Sequence, residues 1–154
     1  ARYSTLGGER VTIEYDDCLK RGKIKPFSRG PALAAKEIEA AEADLSRAHK
    51  TYSEPDYKWA TIQTYYSMFH SARALLYAKS LREHSHYCLV AAIKTLYVET
   101  KVIPVYILEG FQQAKTLREE ADYYNRWSQA GCEKLIKLAE EFLGIGRNTI
   151  LPRQ

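Results

Sequence analysis

The sequence predicts an all-α fold, an up-and-down antiparallel bundle of five to six helices. Apolar residues recur at steps of three and four through several segments long enough for helices, and short polar connections separate these segments. We find no convincing strand pattern and no internal repeat in the sequence. The 154 residues suit one domain spanning 1–154, which is long enough to bury a core without disulfides or metals.

The N-terminal third is predicted to contain two helices and a basic loop. Residues 1–8 are expected to be frayed, and a short, imperfect helix is expected over 9–21. The loop at 20–31 contains two glycines, two prolines and several basic residues, which is typical of a linker. Its segment at 20–29 fits either a solvated loop or an arm that contacts phosphate. A second helix is expected over 31–52, with small residues at half the positions of its apolar seam.

The organising element is a third helix, expected over 56–79. Its apolar face includes Trp59 and Tyr66, and the helical repeat places Arg73 near the middle of that face. An arginine in apolar surroundings needs a carboxylate partner, because an unpaired buried charge costs several kcal/mol. We therefore expect Arg73 to meet Asp122 or Glu119 on a later helix.

Three further helices complete the predicted bundle. A polar connection at 81–86 precedes a helix over 86–100, and Pro104 resets the chain before a helix over 105–127. The last helix is expected over 128–143. We expect it to end at the two glycines at 144 and 146, because glycines commonly follow the last turn of a helix.

Composition limits the possible functions without choosing one. A net charge of +4 and a pI near 8.9 are compatible with a nucleotide or RNA ligand, or with an acidic partner. Cys18, Cys88 and Cys132 are widely spaced, which disfavours structural zinc and a disulfide framework and suggests three small buried side chains. We expect no signal peptide, no membrane-spanning segment and a cytoplasmic location.

Three histidines are candidates for chemistry. His84 and His86 lie in a polar connection, where they suggest RNA cleavage or metal binding but also suit the start of a helix. Their spacing positions no third ligand, so we expect neither a metal site nor a cofactor. His70 lies at the edge of the third helix's apolar face and is interpreted as a cleft residue or, more simply, as a buried hydrogen-bonded side chain.

A polar patch is expected on the fifth helix, where Arg118 and Asp122 lie four residues apart. Tyr123 and Asn125 follow them. The simplest interpretation is a surface ion pair worth roughly 0.5 kcal/mol or less, and the alternative is a ligand-binding patch. The sequence lacks a glycine-rich phosphate loop, HExxH, GxSxG and a cysteine with a credible base.

Two segments resemble the HEPN domain family (higher eukaryotes and prokaryotes nucleotide-binding). The sequence TYYSMFHSARALLYAKSLREHSHYCLV is similar to the family signature AYYAMFHAARALL, and LREEADYY is similar to a later LREKADY stretch. Upstream, DDCLKRGKIK resembles archaeal members of the family. The resemblance extends from about Asp16 to Asn125 and implies a small up-and-down helical bundle.

The resemblance also implies a function. Such domains are usually homodimers, often encoded with a minimal nucleotidyltransferase in a toxin–antitoxin type pair. Many are metal-independent ribonucleases whose active site is an arginine followed, after four to six residues, by a histidine. By position the arginine is Arg118, but the expected histidine is Tyr123, Tyr124 or Asn125. Tyr124 is therefore a weak catalytic candidate, because tyrosine does not titrate near neutral pH.

These observations leave three functional hypotheses. The preferred one is a dimeric nucleotide- or RNA-binding or protein-interaction module that pairs with a minimal nucleotidyltransferase, with a cleft lined by Arg73, Arg118, Asp122 and tyrosines. The second is a metal-independent ribonuclease toxin that uses Arg118 with a displaced histidine, His84 or His86. The third is a structural helical bundle without a ligand.

Overall fold

The computed structural model describes residues 3–6 and 9–151, and this part of the chain forms a helical bundle with two small sheets. The predicted all-α class is confirmed. The helices are α1 (Ile13–Lys20), α2 (Gly30–Ser53), α3 (Tyr57–Tyr77), α4 (His86–Ile93), α5 (Val105–Tyr123) and α6 (Gln129–Ile150). A π-helical segment, Lys94–Val98, directly continues α4.

Four of these helices begin at a side-chain cap. Thr12, Asp56, Ser85 and Ser128 each accept a hydrogen bond from the backbone N–H three residues later. A cap of this kind satisfies one of the backbone donors that the first helical turn leaves unpaired. The short polar side chains between the apolar segments therefore fix where α1, α3, α4 and α6 start.

α3 lies at the centre of the bundle and packs against α2, α5 and α6. Small side chains allow α2 to approach it closely, because Ala34, Ala41 and Ala48 are fully buried along one face of α2. Ser67 of α3 donates a hydrogen bond of 2.8 Å to the carbonyl oxygen of Ala41. The predicted seam of small residues is thus the contact between α2 and α3.

The start of α2 touches the end of α3. A Cβ atom on Gly30 would lie 2.4 Å from the carbonyl oxygen of Tyr77. That distance is shorter than any side chain tolerates, so glycine lets the two helix ends meet. Phe27, just before α2, packs edge-on against the Tyr77 ring with the centroids 5.0 Å apart.

Two small antiparallel sheets correct the expectation that the chain has no strand. β1 (Tyr3–Leu6) pairs with β2 (Glu9–Thr12), and β3 (Ile24–Pro26) pairs with β4 (Leu81–Glu83). Strands of three or four residues are too short for their alternation to be recognised in sequence. β1 lies in the segment expected to be frayed, of which residues 1, 2, 7 and 8 lie outside the described residues. The β3–β4 pair fastens the basic loop to the connection between α3 and α4.

Two helix ends differ from the predicted ones because of the neighbouring backbone. α1 begins at Ile13 rather than at residue 9, since the preceding residues belong to β2. α5 ends at Tyr123 rather than at residue 127, and Asn125 beyond it adopts a left-handed conformation with φ of +53°. Asparagine tolerates this conformation better than most residues.

The expected stop of α6 at Gly144 and Gly146 is wrong, because the helix continues to Ile150. A Cβ atom on Gly146 would lie 3.3 Å from Cδ1 of Ile38. This glycine therefore serves close packing between α6 and α2 rather than helix termination.

A disulfide links Cys18 of α1 to Cys88 of α4, across 70 residues of sequence. The expectation that the cysteines are unpaired is wrong for these two, since spacing alone does not reveal which cysteines a fold brings together. Cys132 is free and buried, as expected. None of the helices in the described part of the chain is long and apolar enough to cross a membrane.

Candidate functional site

Arg118, near the end of α5, lies among tyrosine side chains. Its Nη2 donates a hydrogen bond of 3.0 Å to the hydroxyl of Tyr66 on α3, and it lies 3.6 Å from the carboxylate of Asp122. The guanidinium carbon is 5.4–5.7 Å from the ring centroids of Tyr65, Tyr66 and Tyr123. The side chain is 20% exposed, so most of this cation is covered by its aromatic neighbours and only a part of it reaches the surface.

The electrostatics keep Arg118 charged. Partial burial lowers the pKa of its guanidinium, and the neighbouring Tyr66, Tyr123 and Asp122 more than offset that effect, so the net direction is upward. The expected ion pair with Asp122 is present, but it is only one of several contacts that hold the guanidinium in place.

A second cation lies beside exposed tryptophans near the same end of the bundle. The ammonium of Lys58 is 5.5 Å from the Trp59 ring centroid and 5.9 Å from that of Trp127, and it donates a hydrogen bond of 3.4 Å to Oδ1 of Asn125. Trp59 lies seven residues before Tyr66 on α3, which places both on one helix face. We call this region the Arg118 surface. It comprises Lys58, Trp59, Tyr66, Arg118, Tyr123, Tyr124, Asn125 and Trp127.

One histidine is connected to Arg118 through a tyrosine. Nδ1 of His86 lies 3.2 Å from the hydroxyl of Tyr65, whose ring packs beside the Arg118 guanidinium. His86 also packs against Phe111, with the ring centroids 4.9 Å apart. Burial, helped by the positive charge of Lys115, lowers the pKa of His86 to about 4, so the imidazole is neutral at pH 7. Burial likewise raises the pKa of Tyr65 to about 12.

A family model for the HEPN domain matches residues 34–149 of this chain. The chain belongs to the HEPN domain family. Two curated relatives from Methanocaldococcus jannaschii support the assignment. "Putative toxin MJ0142" is 31% identical over 88 residues, which is 57% of this chain and 60% of the relative. "Putative toxin MJ0605" is 31% identical over 107 residues, which is 69% of this chain and 80% of the relative.

The match confirms the family resemblance and includes two of the three segments that are similar to the family. The segment beginning at Thr64 and the LREEADYY segment both lie inside the matched range, whereas the upstream DDCLKRGKIK segment lies outside it. In this HEPN domain, the residues after Arg118 at the positions expected for histidine are two exposed tyrosines and Asn125. None of the three positions at which the family motif predicts the histidine therefore carries an imidazole.

The predicted partner of Arg73 is wrong. Its Nη2 and Nε donate to the same carboxylate oxygen of Glu83, at 2.8 and 3.2 Å, and neither Asp122 nor Glu119 is the partner. Glu83 lies on β4, a strand that the sequence did not reveal. The Arg73 guanidinium also stacks 4.4 Å from the ring centroid of Phe69. Arg73 therefore joins α3 to β4 of the HEPN domain.

The other two candidate histidines lie in different surroundings. Nδ1 of His70 is 2.5 Å from a carboxylate oxygen of Glu37, and its Nε2 is 3.7 Å from one of Asp44. This contact between α3 and α2 agrees with a half-buried, hydrogen-bonded histidine. His84 is exposed, and its backbone N–H donates to the carbonyl oxygen of Lys23. In the part of the chain that the structure describes, no hydrogen bond or ion pair joins either histidine to the Arg118 surface.

Four residues of the Arg118 surface were missed in the sequence. Trp59 and Tyr66 were assigned to the apolar core face of the third helix, yet they are 48% and 37% exposed. Lys58 and Trp127 were not considered. The available signal was the unusual density of tyrosine and tryptophan around the family arginine. Within the described ranges, no cluster of three or more histidine, cysteine or acidic residues is arranged to hold a metal ion.

Proposed function

We propose that this HEPN protein is a dimeric nucleotide- or RNA-binding module that works with a minimal nucleotidyltransferase partner in a toxin–antitoxin type system, and that it does not cleave RNA. The observation that carries the proposal is the Arg118 surface, which combines two cations with exposed aromatic rings but lacks an imidazole. Single-stranded nucleic acids are bound by this combination, because cations attract the phosphates and aromatic rings stack on the bases.

The same residues explain why binding is favoured over cleavage. Cleavage that uses the 2′-hydroxyl needs a group that accepts a proton near neutral pH. His86 is a neutral imidazole, but it is partly buried behind Tyr65 rather than exposed beside Arg118. The hydroxyl of Tyr65, with its raised pKa, does not lose a proton near neutral pH. Arg118 can hold a phosphate, but the motif positions 123–125 carry no imidazole to take the proton, and the neighbouring carboxylate of Asp122 is already paired with Arg118.

The dimer is proposed from two exposed tyrosines of the Arg118 surface, and the partner from the names of the two relatives. Tyr123 and Tyr124 are 65% and 67% exposed, and exposed aromatic side chains of this kind are typical of interaction surfaces. Both relatives are named as toxins, which supports a partner that restrains this chain. We place the complex in the cytoplasm with its RNA. The Cys18–Cys88 disulfide would be unusual there, since cytosolic disulfides are rare outside hyperthermophiles.

A second function has one observation in its favour. Tyr65 connects His86 to Arg118 through a hydrogen bond and a ring contact, so a rearrangement of Tyr65 would expose an imidazole beside the arginine. Metal-independent RNA cleavage by Arg118 and His86 is therefore the alternative.

Binding is tested with the chain's own fluorescence. Its two tryptophans, Trp59 and Trp127, both lie in the Arg118 surface, so a single-stranded RNA that stacks there changes their emission. We expect Arg118→Ala to weaken binding about tenfold, because it removes a charge-assisted contact. The matched control is Arg47→Ala, because Arg47 is an exposed arginine on α2. This variant should bind the RNA as tightly as the wild type does. An absence of fluorescence change and of RNA retention would contradict the proposal and favour a structural bundle.

The assembly is tested separately. Sedimentation equilibrium should give twice the mass of one chain, and a co-expressed minimal nucleotidyltransferase should co-purify with the tagged protein. A monomer that retains no partner would contradict this part of the proposal and leave the RNA result unaffected.

A further inference from the structure

The two segments that form the β3–β4 sheet carry the net positive charge of the chain. Residues 20–29 and 79–84 contain seven lysines and arginines and one glutamate, a formal charge of +6, whereas the whole chain has +4. The rest of the chain is therefore net acidic. These segments share no residue with the Arg118 surface. Tyr66, which belongs to that surface, lies eleven residues before the end of α3, about 16 Å along the helix axis.

Three of these cations lie on one face of the β3–β4 sheet. Ile24 and Glu83 are paired across the two strands and are buried, whereas the next pair, Lys25 and Arg82, is exposed. Side chains alternate between the two faces of a strand, so the exposed Lys23 lies on the same face as Lys25. The carbonyl oxygen of Lys23 accepts a hydrogen bond from the backbone N–H directly after β4, which extends the pairing. We call Lys23, Lys25 and Arg82 the basic ladder.

The charges of the basic ladder are not balanced within the described part of the chain. None of its three residues forms an ion pair with another described residue. Glu83 is the acidic residue of the sheet, but its side chain lies on the buried face, where it binds Arg73. Lys25 and Arg82 are directly opposite each other, and like charges in that position destabilise a pair of strands. An anion bound between them would relieve this repulsion.

The basic ladder is held in position by its surroundings. The guanidinium carbon of Arg82 lies 5.4 Å from the ring centroid of Phe27, and that ring packs edge-on against Tyr77. The backbone N–H of Phe27 donates a hydrogen bond of 2.7 Å to the carbonyl oxygen of Ser80, which closes one end of the sheet. Cations that are already positioned lose less conformational freedom when a ligand binds.

The chemistry of this face suits carboxylates better than nucleic acid or lipid. Single-stranded RNA needs exposed rings for stacking, but Phe27, the one aromatic residue in the two segments, contacts Tyr77 and Arg82. Residues 23–27 span about 13 Å of strand, which is too short to reach two successive grooves of a double-stranded RNA. None of the large exposed hydrophobic residues lies in these segments, so no side chain is available to insert into a lipid surface.

From this arrangement we infer that the basic ladder binds an extended, acidic segment of a partner protein. Acidic side chains at alternate positions of an extended segment lie on one side, about 6.6 Å apart. Lys23 and Lys25 have the same spacing along β3, and the guanidinium of Arg82 can donate two parallel hydrogen bonds to one carboxylate. The inference goes beyond the proposed function, because it assigns a second surface and the chemistry of its ligand. It rests on the proposed function only in requiring a partner protein.

The test is a nuclear magnetic resonance titration of the intact, isotope-labelled protein at low salt. The probe is a synthetic peptide in which three glutamates alternate with threonines, and the matched peptide carries glutamines in their place. We expect the glutamate peptide to shift the amide signals of residues 23–27 and 80–84, and the glutamine peptide to bind at least about tenfold more weakly.

Variants locate the binding. Lys25→Gln and Arg82→Gln should each weaken binding of the glutamate peptide about fivefold, because each removes one charge pair. The control is Lys134→Gln, because Lys134 is an exposed lysine on α6 and this variant should bind as the wild type does. Thermal unfolding confirms that each variant is folded.

The inference is overturned if the glutamate peptide shifts no signal of the basic ladder at roughly millimolar concentration, or if the glutamine peptide binds equally well. The ladder would then serve only to keep the sheet edge from pairing with other chains. It is also overturned if double-stranded RNA or vesicles of phosphatidylglycerol bind through Lys25 and Arg82 while the peptide does not. Peptide binding without RNA binding at the Arg118 surface would refute only the proposed function.

Discussion

Removing the carboxylate of Glu83 should destabilise the fold through the arginine that it leaves behind. The Glu83 side chain is only 5% exposed, and one of its oxygens accepts both hydrogen bonds from Arg73. Arg73 is 29% exposed and covered on one side by Phe69. Glu83→Ala therefore leaves a cation that water reaches only in part and that has lost its carboxylate.

The size of the expected destabilisation depends on how deeply the Arg73–Glu83 ion pair is buried. Breaking a fully buried ion pair by removing one partner costs about 3–5 kcal/mol, and the partial exposure of Arg73 reduces this to about 2–3 kcal/mol. For a chain of 154 residues, that loss lowers the melting temperature by about 4–12 °C. The double variant Arg73→Met with Glu83→Leu should recover most of the loss, because apolar side chains of similar volume often replace a buried ion pair at little cost.

Urea denaturation followed by circular dichroism measures the free energy of unfolding of Glu83→Ala, of the single variants Arg73→Met and Glu83→Leu, and of the double variant that combines these two. The control is Lys20→Ala, which breaks an ion pair whose lysine is 75% exposed and should cost less than about 0.5 kcal/mol. The reasoning is refuted if Glu83→Ala costs no more than the control. It is also refuted if the losses of the single variants simply add in the double variant, because the two side chains would then not interact.

Three further predictions concern stability. Reducing the Cys18–Cys88 disulfide should lower the free energy of unfolding by up to about 4 kcal/mol, since it frees a loop of 70 residues in the unfolded chain; an unchanged melting temperature in reductant contradicts this. The pKa of His86 is lowered in the fold to about 4, so between pH 6.5 and 4 the unfolded chain binds more protons than the folded one. The free energy of unfolding should therefore decrease by about 2 kcal/mol as the pH falls from 6.5 to 4, after allowance for solvent screening. His86→Gln should flatten that part of the pH profile, and an identical slope in wild type and variant would exclude His86 as the cause. Gly30→Ala should destabilise by several kcal/mol because its Cβ meets the Tyr77 carbonyl oxygen, and a stability equal to that of the wild type would show that the two helix ends separate easily.

The long helices could be predicted from sequence because their periodic patterns extend over many turns. α3 was expected over 56–79 and spans Tyr57–Tyr77. Contacts between segments distant in sequence could not be predicted in the same way. Glu83 becomes the partner of Arg73 only because β3 and β4 pair, and strands of three residues leave no readable pattern. The disulfide depends on the same kind of long-range contact.

The residues of the candidate site could likewise be predicted only in part from the sequence. Arg118 could be identified because it belongs to a short sequence motif. Such a motif is recognised from the order of its residues alone, without knowledge of the fold. The exposed position of Trp59 could not be found from periodicity, because a helix stripe does not reveal where the neighbouring helices stop covering it. α5 ends at Tyr123, and Trp59, in the first turn of α3, is 48% exposed.

The most direct test of RNA binding without cleavage is incubation of the purified protein with end-labelled RNA in EDTA, with bound and cleaved RNA measured in the same sample. We expect wild-type protein to retain the RNA intact and Arg118→Ala to retain less of it. Cleavage by wild-type protein that disappears in both Arg118→Ala and His86→Ala would contradict this account, and it would make the protein a metal-independent ribonuclease whose histidine lies behind Tyr65.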